Sequence, residues 1–367
     1  MCVLKILEVK DIDYDVGMGI DEIDYFAGGL RTVHLKGFKY GAKIRLHLIV
    51  KWHPNPADKK SFREYYRREY VFHTKIAPEL LNIQRKLKIE GLKMNFPNVV
   101  LARIDDNKET IVMQAMDQLK FLDRFQKMDL AHASLIIKTF AKLHGLSFAL
   151  KMNQPEKFKE IKELCSKDVV YSDITNMSKA LECYFNTSVN IVTDPVAKTK
   201  LREFEPKVLL VLNKCTQPDK YNVVFIDYQL TRYASPVTDI SYFLYMSTEK
   251  EFLSKHYDSL LNIYYGTLTA ILNCCNLNVE HVYPRCIFQK HLQEYSVLGL
   301  IEALISMKII TAVTEEAVEM TDMKNHFSEG LCEYVSHNQS LYEERVNGVV
   351  SDFFERGYSL DAVLENK

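Results

Sequence analysis

Residues 43–51 read KIRLHLIVK, and this stretch decides the fold of the first third of the chain. Apolar residues alternate here with mostly basic ones: Ile44, Leu46, Leu48 and Val50 against Lys43, Arg45, His47, Ile49 and Lys51. Successive side chains of a strand point to opposite faces, so this period of two predicts a half-buried β-strand. The predicted strand ends at Lys51, directly before Trp52.

The neighbouring segments continue this pattern. Ser61–Leu81 is long and charged, with the spacing of a helix. Two short apolar runs, Val99–Ile104 and Thr110–Met116, flank the polar trio Asp105-Asp106-Asn107. Such a trio between two apolar runs favours a hairpin turn, so the two runs are predicted to be paired strands.

Beyond residue 117 the pattern becomes mostly helical. Asp129 is placed to cap a helix that runs through Leu150. The runs Val208–Leu212 and Val223–Ile226 predict a short pair of strands, and helical patterns resume at Asp239. We therefore expect an α+β protein with a small β-rich lobe, residues 1–116, and a larger helical lobe, residues 117–367.

Composition excludes several classes of protein. The 367 residues include 47 Lys plus Arg and 48 Asp plus Glu, so the net charge is −1. This balance gives no basis for a nucleic-acid footprint or a polybasic membrane surface. Hydrophobic residues make up 47% of the chain, which predicts a packed core rather than disorder.

Cysteine spacing and hydropathy bear on the compartment. The eight cysteines form no Cys-x-x-Cys pair, so we expect free thiols in a reducing compartment. The stretch MCVLKILEVK lacks the long apolar run of a signal peptide. Charges interrupt Val297–Val318, which predicts an amphipathic helix with one buried face instead of a membrane span. The expected location is the cytoplasm.

Five stretches, taken in order, carry a resemblance to a known family. They are LIVKWHP (Leu48–Pro54), REYVFHTKIAPEL (Arg68–Leu80), FAKLHGLSFAL (Phe140–Leu150), VVFIDYQLTRYASPVTDISYFLYMST (Val223–Thr248) and, most weakly, HLQEYSVLGLIEAL (His291–Leu304). Over nearly the whole chain, they resemble the ecdysteroid kinase-like family, also called CHK kinase-like. Its members are relatives of choline and aminoglycoside kinases and share the two-lobe fold of protein kinases.

The resemblance implies an ATP- and magnesium-dependent transfer of phosphate to a small-molecule hydroxyl, on a steroid or similar lipophilic alcohol. It assigns Lys51 to the nucleotide phosphates, Glu69 to an ion pair with Lys51, and Asp227 to the metal. Simpler interpretations exist: a solvated strand-end lysine, a surface carboxylate and a turn-forming aspartate. His73 stands where the family usually has tyrosine.

Two further polar residues have ordinary structural explanations. Asp239 is interpreted as a helix N-cap, and the family role of bracing the catalytic loop hardly differs from that. His144 lies among Phe140, Leu143 and Phe148, so a core histidine with satisfied partners is favoured over a catalytic one.

The family's catalytic loop, His-Gly-Asp-x-x-x-x-Asn, is absent from this chain. The preceding strand is predicted at Val211-Leu212-Asn213, and only residues 214–226 separate it from Asp227. An eight-residue loop, a turn and a returning strand need roughly 20 residues. Asp219 and Asn222 have the wrong spacing to replace the loop, and a hairpin turn explains them better. No catalytic residue is therefore assigned.

Two other family features are weak here. Gly28-Gly29 is the one candidate for the phosphate-covering loop, and Gln114-Ala115-Met116 replaces the family's acidic Glu-Asp-Leu. Three hypotheses remain: an impaired kinase that still binds ATP and magnesium weakly, an active small-molecule kinase with another base, or a mis-spliced form that lost the loop. The sequence identifies neither a protein partner nor the substrate.

Overall fold

The structure is a computed structural model that describes residues 8–18, 29–52, 66–87, 90–104, 109–115, 123–165, 175–216, 234–321 and 334–365. These residues fall into two compact units. One unit contains five strands and helical residues 66–79, and the other contains residues 80–94 and the helices from Leu130 onward. A small sheet near the start of the chain and a mostly helical remainder confirm the kinase-like two-lobe α+β class.

The first unit is built on an antiparallel sheet with strand order β1-β2-β3-β5-β4. Its strands are β1 (Lys10–Met18), β2 (Gly29–Lys39), β3 (Ala42–Trp52), β4 (Val99–Arg103) and β5 (Thr110–Gln114). The predicted strand at residues 43–51 is therefore confirmed, and so are the paired strands β4 and β5. The predicted turn at residues 105–107 lies outside the described residues.

The β2–β3 hairpin turns at Tyr40-Gly41, where φ is 51° and 79°. Two residues with positive φ give a turn whose twist matches that of the flanking strands, and glycine adopts this conformation without strain. In register, Leu30 lies opposite Lys51, which in turn lies opposite Ile111 of β5. Lys51 thus lies on the central strand of the sheet and is buried.

Residues 66–84 are helical, as predicted for the described part of Ser61–Leu81. Residues 66–71 are α-helical, Phe72–Ile76 form a π-helical turn, and α1 (Ala77–Gln84) follows. The Gln84 side chain then exchanges two hydrogen bonds of 2.9 Å with the backbone of Met94.

The second unit is a helical assembly. Its helices are α2 (Leu130–Asn153), α3 (Pro155–Cys165), α4 (Thr175–Asn190), α5 (Pro195–Phe204), α6 (Val208–Thr216), α7 (Pro236–Ser247), α8 (Lys250–Cys274), α9 (Val279–Val282), α10 (Arg285–Thr311), α11 (Thr314–Thr321), α12 (Gln339–Glu355) and α13 (Ala362–Glu365). Helix α10 packs on α7, α4 and α12, and α8 packs on α2. Asp129 caps α2 as predicted, accepting from the backbone N–H of His132.

Two predictions in this unit are wrong. Val208–Leu212 is not a strand, because it forms the start of α6. Val208, Val211, Leu212 and Cys215 are buried at helical spacing while Leu210 is 56% exposed, and a short apolar run alone does not separate the two structures. The companion strand at residues 223–226 lies outside the described part of the chain.

The predicted amphipathic helix Val297–Val318 is also incorrect. Helix α10 ends at Thr311, α11 begins at Thr314, and residues 296–301 are all buried, so α10 has more than one buried face. The charged residues in this stretch are the reason why the sequence predicts an exposed face on the helix. Among the described residues, no helix is both long enough and apolar enough to cross a membrane.

Cysteine chemistry also departs from expectation. Cys165, Cys215, Cys274, Cys275 and Cys286 are free thiols, as predicted. Cys183 in α4 is disulfide-bonded, so the expectation of free thiols is wrong at this position. Sequence spacing cannot identify such a pair, because folding decides which cysteines meet.

Candidate functional site

The sequence-predicted pair Lys51 and Glu69 is brought together in the first unit. The Nζ atom of Lys51 lies 3.0 Å from the Oε2 atom of Glu69. Their side chains are only 9% and 4% exposed, so this is a buried ion pair. Neither residue is the solvated surface charge that the simpler interpretations proposed.

Local structure explains why these two side chains meet. The period-two pattern of β3 places Lys51 on the face opposite to Val50. Glu69 lies in the first helical turns of residues 66–84. A lysine and a glutamate buried without each other would each carry a large desolvation cost, and the short contact offsets it.

The electrostatics keep Glu69 charged. Burial would raise the pKa of the Glu69 carboxyl, but the His73 and Lys51 side chains outweigh this effect and lower the pKa below its usual range. The pair therefore presents an ammonium group whose position is fixed by a carboxylate. Such an arrangement can hold phosphate oxygens if part of the ammonium is turned toward a ligand.

His73 lies on the other side of the same carboxylate. Its Nε2 atom is 3.9 Å from the Oε1 atom of Glu69, and its side chain is 2% exposed. Sequence reasoning noted His73 as a departure from tyrosine but assigned no role to it. The i,i+4 spacing to Glu69 was the available signal, because residues four apart share a helix face.

The other small-lobe features have ordinary structural roles where they are described. Gly29 is the first residue of β2. The Gln114 side chain accepts a hydrogen bond of 2.9 Å from Asn98, and the Ala115 backbone N–H donates to the His47 carbonyl at 2.8 Å. These contacts hold the end of β5 in the sheet and add no acidic group there.

A second polar cluster lies in the helical unit, around His144 of α2. Its ring is fully buried; Nδ1 is 2.6 Å from the Tyr264 hydroxyl and Nε2 is 3.5 Å from Oδ2 of Asp239. Burial lowers the pKa of His144, against the opposing effect of Asp239, so the ring is neutral at pH 7. As predicted, His144 is a core histidine with partners.

Asp239 is not the N-cap that the sequence suggested. Ser235 caps α7, and Asp239 lies in the first turn, where it faces His144. Both serine and aspartate cap helices well, so the sequence alone did not show that α7 begins four residues before the predicted start.

Ser235 is held in turn by His291, which sequence reasoning missed. The Nδ1 atom of His291 lies 3.0 Å from Ser235 Oγ and 2.8 Å from the Tyr283 hydroxyl. Burial lowers the pKa of His291 to about 4, so its ring is also neutral at pH 7. The weak family stretch that begins at His291 was the only signal in the sequence.

The remaining predicted site residues cannot be placed. Asp227, Asp219 and Asn222 lie outside the described residues. Within the described ranges, no group of three or more His, Cys, Asp or Glu residues is arranged to hold a metal ion.

Comparison with models of protein families identifies a match. The profile of the Ecdysteroid kinase-like family matches residues 22–224 and 208–277, two segments that overlap at residues 208–224. No curated protein matches the chain. The family match covers more than half of the sequence and includes both Lys51 and Glu69. The chain therefore belongs to the ecdysteroid kinase-like family.

Proposed function

We propose that this chain is an impaired small-molecule kinase, which keeps an ATP site in residues 1–116 and has lost its catalytic loop in residues 117–367. The observation that carries the proposal is the buried contact of 3.0 Å between Lys51 and Glu69. Members of this kinase class use such a pair to hold the phosphates of the nucleotide. The substrate class inferred from the family is a steroid or similar lipophilic alcohol.

The nucleotide part of the proposal depends on three observations. Lys51 lies on the central strand of the sheet, its partner Glu69 is ionised, and both side chains are buried. An ammonium group fixed in this way needs no large reorganisation when phosphate oxygens approach, and this supports binding.

The metal part depends on Asp227, which follows the apolar run VVFI in the sequence. Asp227 would hold magnesium together with the ATP phosphates, since magnesium uses one or two carboxylates and keeps several waters. The asparagine that would complete the metal shell is missing with the loop. We therefore expect weak metal binding.

The impairment follows from chain length. Helix α6 continues to Thr216, which leaves only residues 217–226 before Asp227. This is shorter than the sequence alone suggested, whereas the loop with its returning strand needs roughly 20 residues. The family profile also breaks into two overlapping segments at residues 208–224, in the same part of the chain.

Two other hypotheses compete with this proposal. An active kinase would need a general base from elsewhere in the chain. A mis-spliced form would have lost the coding sequence between Asn213 and Lys214. Sequencing of full-length transcripts across these two codons separates the cases, because an inserted His-Gly-Asp-x-x-x-x-Asn stretch would show that the intact protein is an ordinary kinase.

The nucleotide proposal is tested by titrating the full chain with ATP and magnesium while recording the fluorescence of Trp52, the single tryptophan. Trp52 follows Lys51 and lies under the Arg31 guanidinium at 5.2 Å. We expect a saturable change that Lys51→Ala abolishes. A flat titration up to millimolar ATP, repeated by calorimetry, would contradict the retained site.

A cytoplasmic location is part of the proposal, since a kinase of this class draws on the ATP pool there. The disulfide at Cys183 counts against a reducing compartment. Alkylation of thiols in intact cells, followed by mass spectrometry of the Cys183 peptide, decides between the two. A free thiol at Cys183 would support the cytoplasmic location, and a disulfide there would reject it.

A further inference from the structure

The helix that carries Glu69 contains an unusual π-helical turn at Phe72–Ile76. The Ala77 backbone N–H donates to the carbonyl of Phe72, which closes this wider turn. Such turns inside α-helices are rare and often occur at functional sites. The turn begins three residues after Glu69 and includes His73.

The π-turn has a visible effect on burial. Val71 and Phe72 are 4% and 0% exposed, and the side chain of His73 is 2% exposed. Three consecutive buried side chains are not the pattern of an ordinary amphipathic α-helix, which buries residues three or four apart. The His73 ring, which lies within the wider turn, is therefore buried like its two neighbours.

The inward ring is held in place and faces Glu69. It makes an edge-on contact with the Phe72 ring at 5.4 Å, and Phe72 lies 6.3 Å from the Phe96 ring. His73 Nε2 lies 3.9 Å from Glu69 Oε1, while Lys51 Nζ lies 3.0 Å from the other oxygen, Oε2. The carboxylate thus has one nitrogen-bearing partner on each oxygen.

A carboxylate buried this deeply is stable only if both oxygens face donors or positive charge. If Oε1 lost the imidazole, rotation of the carboxylate would no longer be opposed on that side. Lys51 would then lose the fixed position that makes it a good phosphate ligand. By the same reasoning, removing the His73 ring would change the affinity of Lys51 for phosphate oxygens.

We propose that His73 is a positioning residue that holds the Glu69 carboxylate against Lys51 and thereby sets the affinity of the nucleotide site. The inference depends on the proposed ATP site only for its last step, since the effect of His73 on Lys51 exists without any nucleotide.

The first test uses the full chain without nucleotide. The reactivity of each lysine amine is measured by limited acetylation and mass spectrometry in the wild type, His73→Phe, His73→Gln and the control Lys75→Ala. Phe keeps the ring without a donor, Gln keeps a donor, and Lys75 is exposed on the same turn. We expect labelling of Lys51 to rise about fivefold in His73→Phe alone. Wild-type labelling of Lys51 in His73→Phe would overturn the proposal.

The second test titrates the same proteins with ATP and magnesium. The dissociation constant should rise about fivefold in His73→Phe and stay within about twofold of wild type in His73→Gln. Equal constants in all four proteins would overturn the proposal. Absence of binding in the wild type would instead reject the ATP site, and the lysine labelling would still decide the role of His73.

A third measurement covers the case in which His73→Phe does not fold. The His73 nitrogen resonances are recorded in ¹⁵N-histidine-labelled protein, with Glu69→Gln and Lys75→Ala as the two variants. A shift in Glu69→Gln alone supports the contact. An unchanged His73 signal in Glu69→Gln would overturn it.

Discussion

Gly299 of α10 lies directly against the backbone of Ser241 in α7, so that a Cβ atom at position 299 would come within 2.5 Å of the Ser241 carbonyl carbon. A methyl group cannot fit at this distance, and the obstacle is backbone that cannot move like a side chain. The approach lets α7 and α10 pack closely along the centre of the helical unit.

Gly299→Ala should therefore destabilise the protein by at least about 2 kcal/mol, since overpacking a dense interior forces backbone shifts. Urea unfolding measures the change. The matched control is Gly266→Ala in α8, where a Cβ would meet no atom within 4 Å. That control should be neutral or stabilising by up to about 1 kcal/mol, because alanine is the better helix former. Equal effects at the two positions would contradict the packing.

Removing one member of the buried Lys51–Glu69 pair should destabilise the fold by about 3–5 kcal/mol, because it leaves an uncompensated charge in the interior. Lys51→Met and Glu69→Gln test this by urea unfolding, and the double variant should lose less than the sum. Lys127→Met is the control, since the Lys127–Glu249 pair, at 2.9 Å, has a 73% exposed lysine. It should cost less than about 1 kcal/mol. Comparable losses at the two sites would show that Lys51 is effectively solvated.

Stability should fall as the pH is lowered from 6.5 to about 4. The pKa of His291 is near 6.5 when exposed and about 4 in the folded protein, where burial disfavours the charged form. Between these values the unfolded chain binds more protons, so acid favours unfolding. His144, whose pKa burial also lowers, acts in the same direction. Unfolding free energies at half-unit pH steps should show a slope that His291→Gln reduces; an unchanged slope in that variant would refute the assignment.

Sequence patterns predicted those parts of the fold in which the apolar residues follow a single clear periodicity or a local capping signal. The alternation in β3 and the Asp129 cap of α2 are clear because each follows from local geometry. The prediction of a strand at Val208–Leu212 is wrong because five apolar residues fit a strand as well as a helix, and the helical spacing becomes clear only with the buried Cys215.

The candidate site was predicted in the same uneven way. The family resemblance points to Lys51 and Glu69, because it specifies an ion pair between them, and the structure contains this contact. His73 lies four residues after Glu69, a spacing that the sequence shows. His291 and Tyr264 contribute through tertiary contacts, such as the one between His144 and Tyr264, which are 120 residues apart. No periodic pattern records such contacts, so a single sequence does not reveal them.

If Asp227 is the carboxylate that holds magnesium, Asp227→Asn should remove the dependence of ATP affinity on magnesium. In the variant, the dissociation constant of ATP should be the same with and without magnesium. The reason is that only the ATP phosphates, and no protein carboxylate, would then hold the metal. Calorimetry of both proteins at two magnesium concentrations provides the measurement. An undiminished magnesium effect in the variant would mean that another group holds the metal.

The central claim, that the chain lacks a working catalytic loop while keeping the rest of the site, is tested most directly by restoring that loop. A His-Gly-Asp-x-x-x-x-Asn loop with a returning strand is inserted after Thr216, where α6 ends, and phosphate transfer from labelled ATP to a panel of steroid and choline-like alcohols is compared with the unmodified chain. A positioned general base contributes about 10²–10⁴-fold. We therefore predict turnover in the unmodified chain at least about a thousandfold below that of the insertion variant. Robust turnover in the unmodified chain, unaffected by Asp219→Asn, would contradict the account.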